Sequence, residues 1–421
     1  MRGDNLKIVN GSSIAVIGGG PAGCTSAFML LSEAKKKNLN IKVYIFEPKD
    51  FTAHYNQCAG VLSPPVEDLF EKTAGIPFPQ HLIKREITGY TLHSSRGNSL
   101  DLVHGKGTYA TRRILLDRFM LETAKNAGAE VIDSSVTGIE FHYDEVRIYS
   151  DSRFLRVDSV VGAFGLGEGF ADVLEKASAA FFGYIRPQRA LDTIITKLHV
   201  DSSIIENKIG NRIHAFLLPD LKGVEFGAIT PKGDHIILNI AGRDVTSKEM
   251  DSFLSHPAVK KVIGQINLSP LNYYRGRYPI KPAEGIVGDR FVAVGDTTGW
   301  VRPYKGKGIN LAIETGARAA QVMINNGISE SDFREYMASF RHYQNDYIYG
   351  RIFRTLVLIS LKTGFMERVI SMAQENPDIE EGFYKAVSGE GSYSEILKTI
   401  LTARNSLKLM LEFLKFICRV H

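Results

Sequence analysis

Six residues near the amino end, Gly18-Gly19-Gly20-Pro21-Ala22-Gly23, have the types and spacing of a phosphate-binding turn. Gly18 permits a tight turn, Gly20 leaves room for a pyrophosphate against the backbone, and Gly23 lets a helix pack closely on a strand. The N–H groups opening that helix then face the phosphates. Such a turn needs a strand before it and a helix after it. Ile14 to Ile17 is a β-branched apolar run and Cys24 to Lys37 reads as a helix. The next apolar run, Lys42 to Phe46, ends in Glu47, 24 residues after Gly23. A carboxylate there accepts from both ribose hydroxyls of an adenosine and disfavours a 2′-phosphate. A dinucleotide is the expected ligand.

A second constellation lies far along the chain. The apolar run Phe291 to Val294 leads into Gly295-Asp296-Thr297-Thr298-Gly299, then Pro303, Lys305, Gly308 and Ile309, and a helical run through Ala320. A second strand ending in an acid is superfluous for NAD. It suits FAD, whose hydroxylated ribityl chain needs an acceptor such as Asp296. The helix opening at Gly308 then points its dipole at the flavin edge where negative charge develops on reduction.

With these motifs the chain resembles the FAD-dependent geranylgeranyl reductase family, a branch of the para-hydroxybenzoate hydroxylase-like fold, from about Ser12 to Gln321. Gln57-Cys58-Ala59-Gly60-Val61 is similar to the family's cysteine- and glycine-containing flavin loop, and Arg113 to Asp117 to its Arg-x-x-x-Asp. Gly223 to Gly242, with Thr230-Pro231-Lys232-Gly233-Asp234, resembles the segment that lines the substrate cavity. The resemblance implies FAD contacts at Ala22, Glu47, Cys58, Ala59, Arg113, Asp296, Gly308 and Ile309, besides Gly18, Gly20 and Gly23. It implies substrate contacts at Phe226, Ile229 and Pro231. Three departures stand out. Phe164 replaces the acid of the family's Gly-Ala-Asp-Gly, which weakens direct NADPH handling. The cavity tyrosine and tryptophan before Pro231 are replaced by Glu225, Phe226 and Ile229. Trp300 is the only tryptophan, so a two-tryptophan halogenase signature is absent.

The implied activity is reduction of carbon–carbon double bonds in an isoprenoid or similar apolar lipid, with hydride from reduced flavin. A flavin-dependent aromatic hydroxylase on the same fold, or a non-catalytic flavoprotein binding FAD or a lipid, stays open. Cys58 and Tyr278 are the candidates for supplying the proton. One complete dinucleotide fingerprint leaves no dedicated nicotinamide domain, so the electron donor, NAD(P)H or ferredoxin, binds transiently. Long apolar ligands with at most one anionic head fit better than aromatic acids, because the only cations near the cavity segment are Lys232, Arg243, Arg275 and Arg277.

The elements that must hold these residues are interleaved. The expected fold is α/β: a Rossmann-type FAD-binding domain from 12–85, 109–165 and 285–321, an antiparallel-sheet substrate domain from 86–108 and 166–284, and a C-terminal helical region over 322–421. Gly89 to Val103, Ala179 to Leu198 and Arg212 to Ala241 are extended, β-branched stretches that suit a sheet laid over the flavin. Tyr273, Tyr274 and Tyr278 either line its cavity or pack with satisfied hydroxyls.

Composition agrees. Of 421 residues, 44% are hydrophobic and 23% charged, and mean hydropathy is -0.07, which excludes disorder and a polytopic membrane protein. The net charge of +5 is spread out, so no nucleic-acid partner is expected. Cys24, Cys58 and Cys418 fit neither a zinc ribbon nor a redox pair, and the histidines show no metal-ligand spacing. Met1 to Ser13 lacks the apolar core of a secretion signal, so a cytoplasmic protein is expected. Tyr393 to His421 reads as one amphipathic helix with five Lys or Arg against two Glu. Such a helix packs on the protein or on a second subunit, or rests peripherally on an anionic membrane.

Overall fold

A computed structural model describes residues 6–52, 58–103, 107–264, 271–302 and 307–420. Gln57, Pro303, Lys305, His54 and His104 lie outside them. The β-branched runs of the two glycine motifs become neighbours in one six-stranded sheet. Its order is Val287–Gly288, Phe291–Ala293, Ser159–Gly162, Ser13–Ile17, Lys42–Phe46, Glu130–Ile132. All pairings but that of the short edge strand Val287–Gly288 are parallel. Parallel strands are covered on both faces, which is why these runs carry apolar residues at consecutive positions.

Helices Pro21–Lys36 and Gly308–Asn325 follow the two motifs and pack on each other. Gly316 makes this close approach feasible: a Cβ there would lie 2.5 Å from the Ala22 carbonyl oxygen. The starts of both helices line one cavity, through Pro21 and Ala22 of the first and Gly308 and Ile309 of the second. Helix Glu168–Ser178, in the stretch read as substrate domain, buries Leu174 in this first core.

The extended stretches form a seven-stranded sheet with the order Tyr273–Pro279, Ala190–His199, His235–Gly242, Val224–Pro231, Arg212–Leu217, Gly89–Ser94, Ser99–Leu102. It is antiparallel apart from the pairing of Arg212–Leu217 with Gly89–Ser94. One face packs on helices Ser247–Ser255 and Pro257–Ile263 through Ile194, Phe216, Ile229, Leu238 and Phe253. The other face meets C-terminal helices through Tyr90, Ile213 and Ala215, and elsewhere overhangs the parallel sheet.

The C-terminal region corrects one expectation. Tyr393 to His421 is not one helix: Tyr393–Ile400 and Ala403–Val420 are separate. The periodicity runs through the break, but Thr402 caps a new helix by accepting from the Asn405 N–H at 3.2 Å. Buried Asn405 is in turn bonded to Asn376 and Asp378. Tyr393 and Ile396 are core residues, whereas Leu407, Met410, Leu411, Leu414 and Ile417 are exposed.

Candidate functional site

A cavity of about 990 Å³ runs between the ends of the parallel strands and the overhanging sheet. Its position is the crevice in which open α/β sheets bind ligands. Gly18, with φ of 109°, turns the chain away from the first strand, and any Cβ there would strike Ala163. Gly23 does not line the cavity. It packs the helix on the turn, where a Cβ would lie 1.9 Å from the Gly18 carbonyl oxygen. A Cβ at Gly20 would meet nothing within 4 Å, so open space lies against that backbone at the helix start. Glu47 accepts from the Gly19 N–H at 2.8 Å and from the Lys49 N–H at 3.0 Å, which ties the turn to the second strand.

Cys58, Ala59 and Arg113 line the next part. Arg113 Nε donates to Asp117 Oδ1 at 2.6 Å, and Lys49 Nζ reaches the other oxygen at 3.2 Å. Burial works to lower the proton affinity of the Arg113 guanidinium, but Asp117 and Cys58 beside it more than reverse this. Asp296 follows the strand Phe291–Ala293. Burial raises its carboxyl above the usual range, and Arg113 opposes the shift. A Cβ on Gly308 would lie 2.7 Å from Asp296 Oδ1, so a glycine is what lets the acid sit against the helix start. No hydrogen bond to the Asp296 carboxylate occurs among the described residues.

These features fit FAD. The space beside Gly20 and the opening of helix Pro21–Lys36 suit the pyrophosphate, and Glu47 the ribose. The carboxylate of Asp296, half-buried and open to the cavity, lacks the donor that a ribityl hydroxyl would supply. Ile309 lines the same helix start. Among the described residues no group of His, Cys, Asp and Glu could hold a metal ion.

At the sheet end, strand alternation decides the lining. Phe226, Ala228 and Thr230 face the cavity, with Ile195, Ile213 and Asn239 from neighbouring strands. Two expected substrate contacts need correction. Ile229 is fully buried on the opposite face against Phe253 and its neighbours, and Pro231 is likewise out of phase with the lining. Glu225 is also elsewhere, in a bidentate ion pair with Arg354. Tyr278 lines the cavity, but its hydroxyl is shielded from water. Tyr273 instead donates to Asp251.

The cations expected at the mouth also differ. Lys232 is buried and donates to backbone carbonyls. Arg243 and Arg275 do not line the cavity, whereas Arg277 does, paired with Glu168 and Asp192. Lys307 and Asn310 were not singled out from the sequence. Lys307 donates to the Ser63 hydroxyl and Asn310 Nδ2 to the Ser63 carbonyl at 3.1 Å, which ties the helix start to the chain after the Cys58 loop. Their place within the second motif, immediately before Gly308 and immediately after Ile309, was the available signal.

No family model matches the chain. It is 24% identical over 355 residues to geranylgeranyl diphosphate reductase of Synechocystis, covering 77% of this chain and 79% of that protein. It is 22% identical over 363 residues to digeranylgeranylglycerophospholipid reductase of Methanococcus vannielii, covering 82% and 87%. A geranylgeranyl bacteriochlorophyll reductase-like protein from Thermoplasma acidophilum superposes with a TM-score of 0.70 at 18% identity, over 93% of this chain and 99% of that one. The chain is an FAD-dependent oxidoreductase that resembles the geranylgeranyl reductases. A flavin-dependent brominase also superposes, with a TM-score of 0.69 at 15% identity over 92% of this chain and 97% of the brominase. The fold therefore does not choose the chemistry; the side chains must. In this flavoprotein the only tryptophan, Trp300, is buried against Tyr336 and Phe340.

Proposed function

We propose that this flavoprotein reduces carbon–carbon double bonds of an isoprenoid or similar apolar lipid. The supporting observation is the sheet wall of the cavity. Ile195, Ile213, Phe226 and Ala228, joined by the uncharged Thr230 and Asn239, continue directly from the FAD cradle. Bound FAD, once reduced, supplies a hydride. The chain holds the apolar substrate against that wall and excludes water. An unactivated alkene has no carbonyl to polarise, so a proton must be placed at its second carbon. Cys58 and Tyr278 are the candidates on the lining. A small aromatic acid would instead need a cation within the wall. Lys232 is committed to carbonyls and Arg277 is paired with acids, so neither is available to anchor a small acid in the sheet wall. Electrons reach the flavin from NAD(P)H or ferredoxin.

The substrate would be met at a membrane surface. No described helix is long and apolar enough to cross a membrane. Helix Ala403–Val420 presents Leu407, Met410, Leu411, Leu414 and Ile417 to solvent, flanked by Arg404, Lys408 and Lys415. This is the pattern of a helix lying on anionic lipid.

The test is anaerobic reduction of the purified protein by NADH, NADPH or reduced ferredoxin, followed by a panel of polyprenyl lipids and hydroxybenzoates. Flavin reoxidation by a polyprenyl lipid, with a saturated product, is expected. Reoxidation only by oxygen, stimulated by a hydroxybenzoate, would overturn the proposal in favour of a hydroxylase.

A further inference from the structure

Lys232 follows the cavity-facing strand Val224–Pro231, and its side chain is almost completely enclosed. Nζ donates to the carbonyl oxygens of Ala59 at 2.6 Å, Gly60 at 3.1 Å and Thr111 at 2.8 Å. Each ammonium proton thus has one acceptor, and no carboxylate pairs with it among the described residues. The stem is fixed as well. The Lys232 N–H donates to the His235 carbonyl at 2.9 Å, and Arg85 Nε donates to the Lys232 carbonyl at 2.9 Å. A charge buried without a counter-ion is costly, and an apolar side chain of similar length would fill the space without that cost. The location of the three acceptors explains what the charge does. Ala59 and Gly60 follow Cys58 along the cofactor side of the cavity, and Thr111 precedes the helix that carries Arg113. Gly60 has φ of 64°, and a Cβ on it would lie 2.2 Å from the Thr111 carbonyl oxygen, so the three segments are held at contact distance.

We propose that Lys232 is a positioning residue, whose ammonium sets the spacing between the Cys58–Gly60 loop at the flavin and the substrate-bearing strand Val224–Pro231. It touches neither FAD nor substrate; it acts through the loop. This rests on reading the cavity as a joint FAD and substrate site. Burial lowers Lys232 to about 7, partly opposed by Cys58. Cys58 faces the ammonium from the loop, and Arg85 faces the Lys232 carbonyl from strand Ile83–Ile87. Below about pH 7 three protons serve three carbonyls, and above it the neutral amine has two. The folded value lies below the unfolded one, so at this group the unfolded chain binds more protons from about pH 7 to 10.5 and the Lys232 contribution to stability rises with pH there. A change in the flavin seat over this range is therefore separable from unfolding.

The experiment follows visible circular dichroism of the FAD-loaded protein from pH 6 to 9, for the wild type and Lys232→Met. The flavin band of the wild type should titrate with a midpoint near 7 while the melting temperature does not fall, and Lys232→Met should keep FAD but lose that titration. A wild-type band that is flat over this range overturns the inference without any variant. So does a Lys232→Met band that titrates like wild type. A chain that retains no FAD overturns the cofactor reading and this inference together.

Discussion

Asp296→Ala tests the cofactor seat in two directions at once. The carboxylate is half-buried on the cavity lining, its proton affinity raised by burial, with no hydrogen-bond partner among the described residues. In the absence of FAD it has no partner among the described residues and faces the cavity, so removing it should leave the apoprotein at least as stable as before. With FAD, a charge-assisted hydrogen bond to a ribityl hydroxyl is worth roughly 1.5–3 kcal/mol. Its loss should weaken FAD binding ~10- to 150-fold. Flavin fluorescence quenching gives the dissociation constant, and melting curves with and without added FAD give the two stabilities. The variant should therefore show an apo melting temperature at or above wild type and a smaller FAD-induced rise. Unchanged affinity for FAD would refute the assignment of this acid, and an apoprotein several degrees less stable would refute the claim that it is unsatisfied.

Three further outcomes are expected. His93 Nε2 lies 2.9 Å from His214 Nδ1, and His214 Nε2 lies 2.9 Å from the Ile209 carbonyl, so the His214 proton sits on Nε2 and both rings are neutral. Burial first and His214 second lower His93 from 6.5 to about 4, so its contribution is present above pH 6.5 and is lost as pH falls toward 4, by at most about 3 kcal/mol. Urea melts of wild type and His93→Phe across that range should diverge, and parallel curves would refute the pair's role. Ala228→Trp should fill the sheet end of the cavity and abolish thermal protection by polyprenyl ligands, worth about 2.7 kcal/mol at ~100 times the dissociation constant, while FAD content stays at wild type. Equal protection of both proteins would remove that wall from the substrate site. Deleting 403–421, which spares the buried Tyr393 and Ile396, should release the protein from vesicles containing anionic lipid, and undiminished sedimentation with vesicles would exclude this helix as the contact.

What was legible in the sequence was local. Gly18 to Gly23 and Glu47 declare a cofactor turn because strand, turn, helix and acid fall within a few dozen residues and each type has a steric or charge reason. Asp296 with Gly308 declares a second for the same reason. The substrate wall was legible only as a segment. Val224–Pro231 is buried on both faces from Gly227 onward, so nothing in its pattern distinguishes Ala228 from Ile229, and the phase is set by helix Ser247–Ser255 packing behind the sheet. Lys232 was read as a cation at the mouth because its acceptor at Ala59 is 173 residues away. The break before Ala403 was hidden by unbroken periodicity and is imposed by the distant Asn376 and Asp378.

The contact of Gly316 with Ala22 has a consequence for synthesis. The FAD seat is assembled from two helices far apart in sequence, and the parallel sheet lacks Phe291–Ala293 until late in translation. At ribosomal speed the intervening roughly 300 residues take ~15–60 s. From the synthesis of Gly162 until that of Phe291 the strand Ser159–Gly162 has an unpaired edge, and the last strand of the seven-stranded sheet, Tyr273–Pro279, is made just before that edge is filled. The newborn chain thus acquires its substrate wall before it acquires a cofactor to work with. The later helix closes the first one only once Gly316 arrives, so a bulkier residue there would leave an exposed apolar half-domain competing with aggregation.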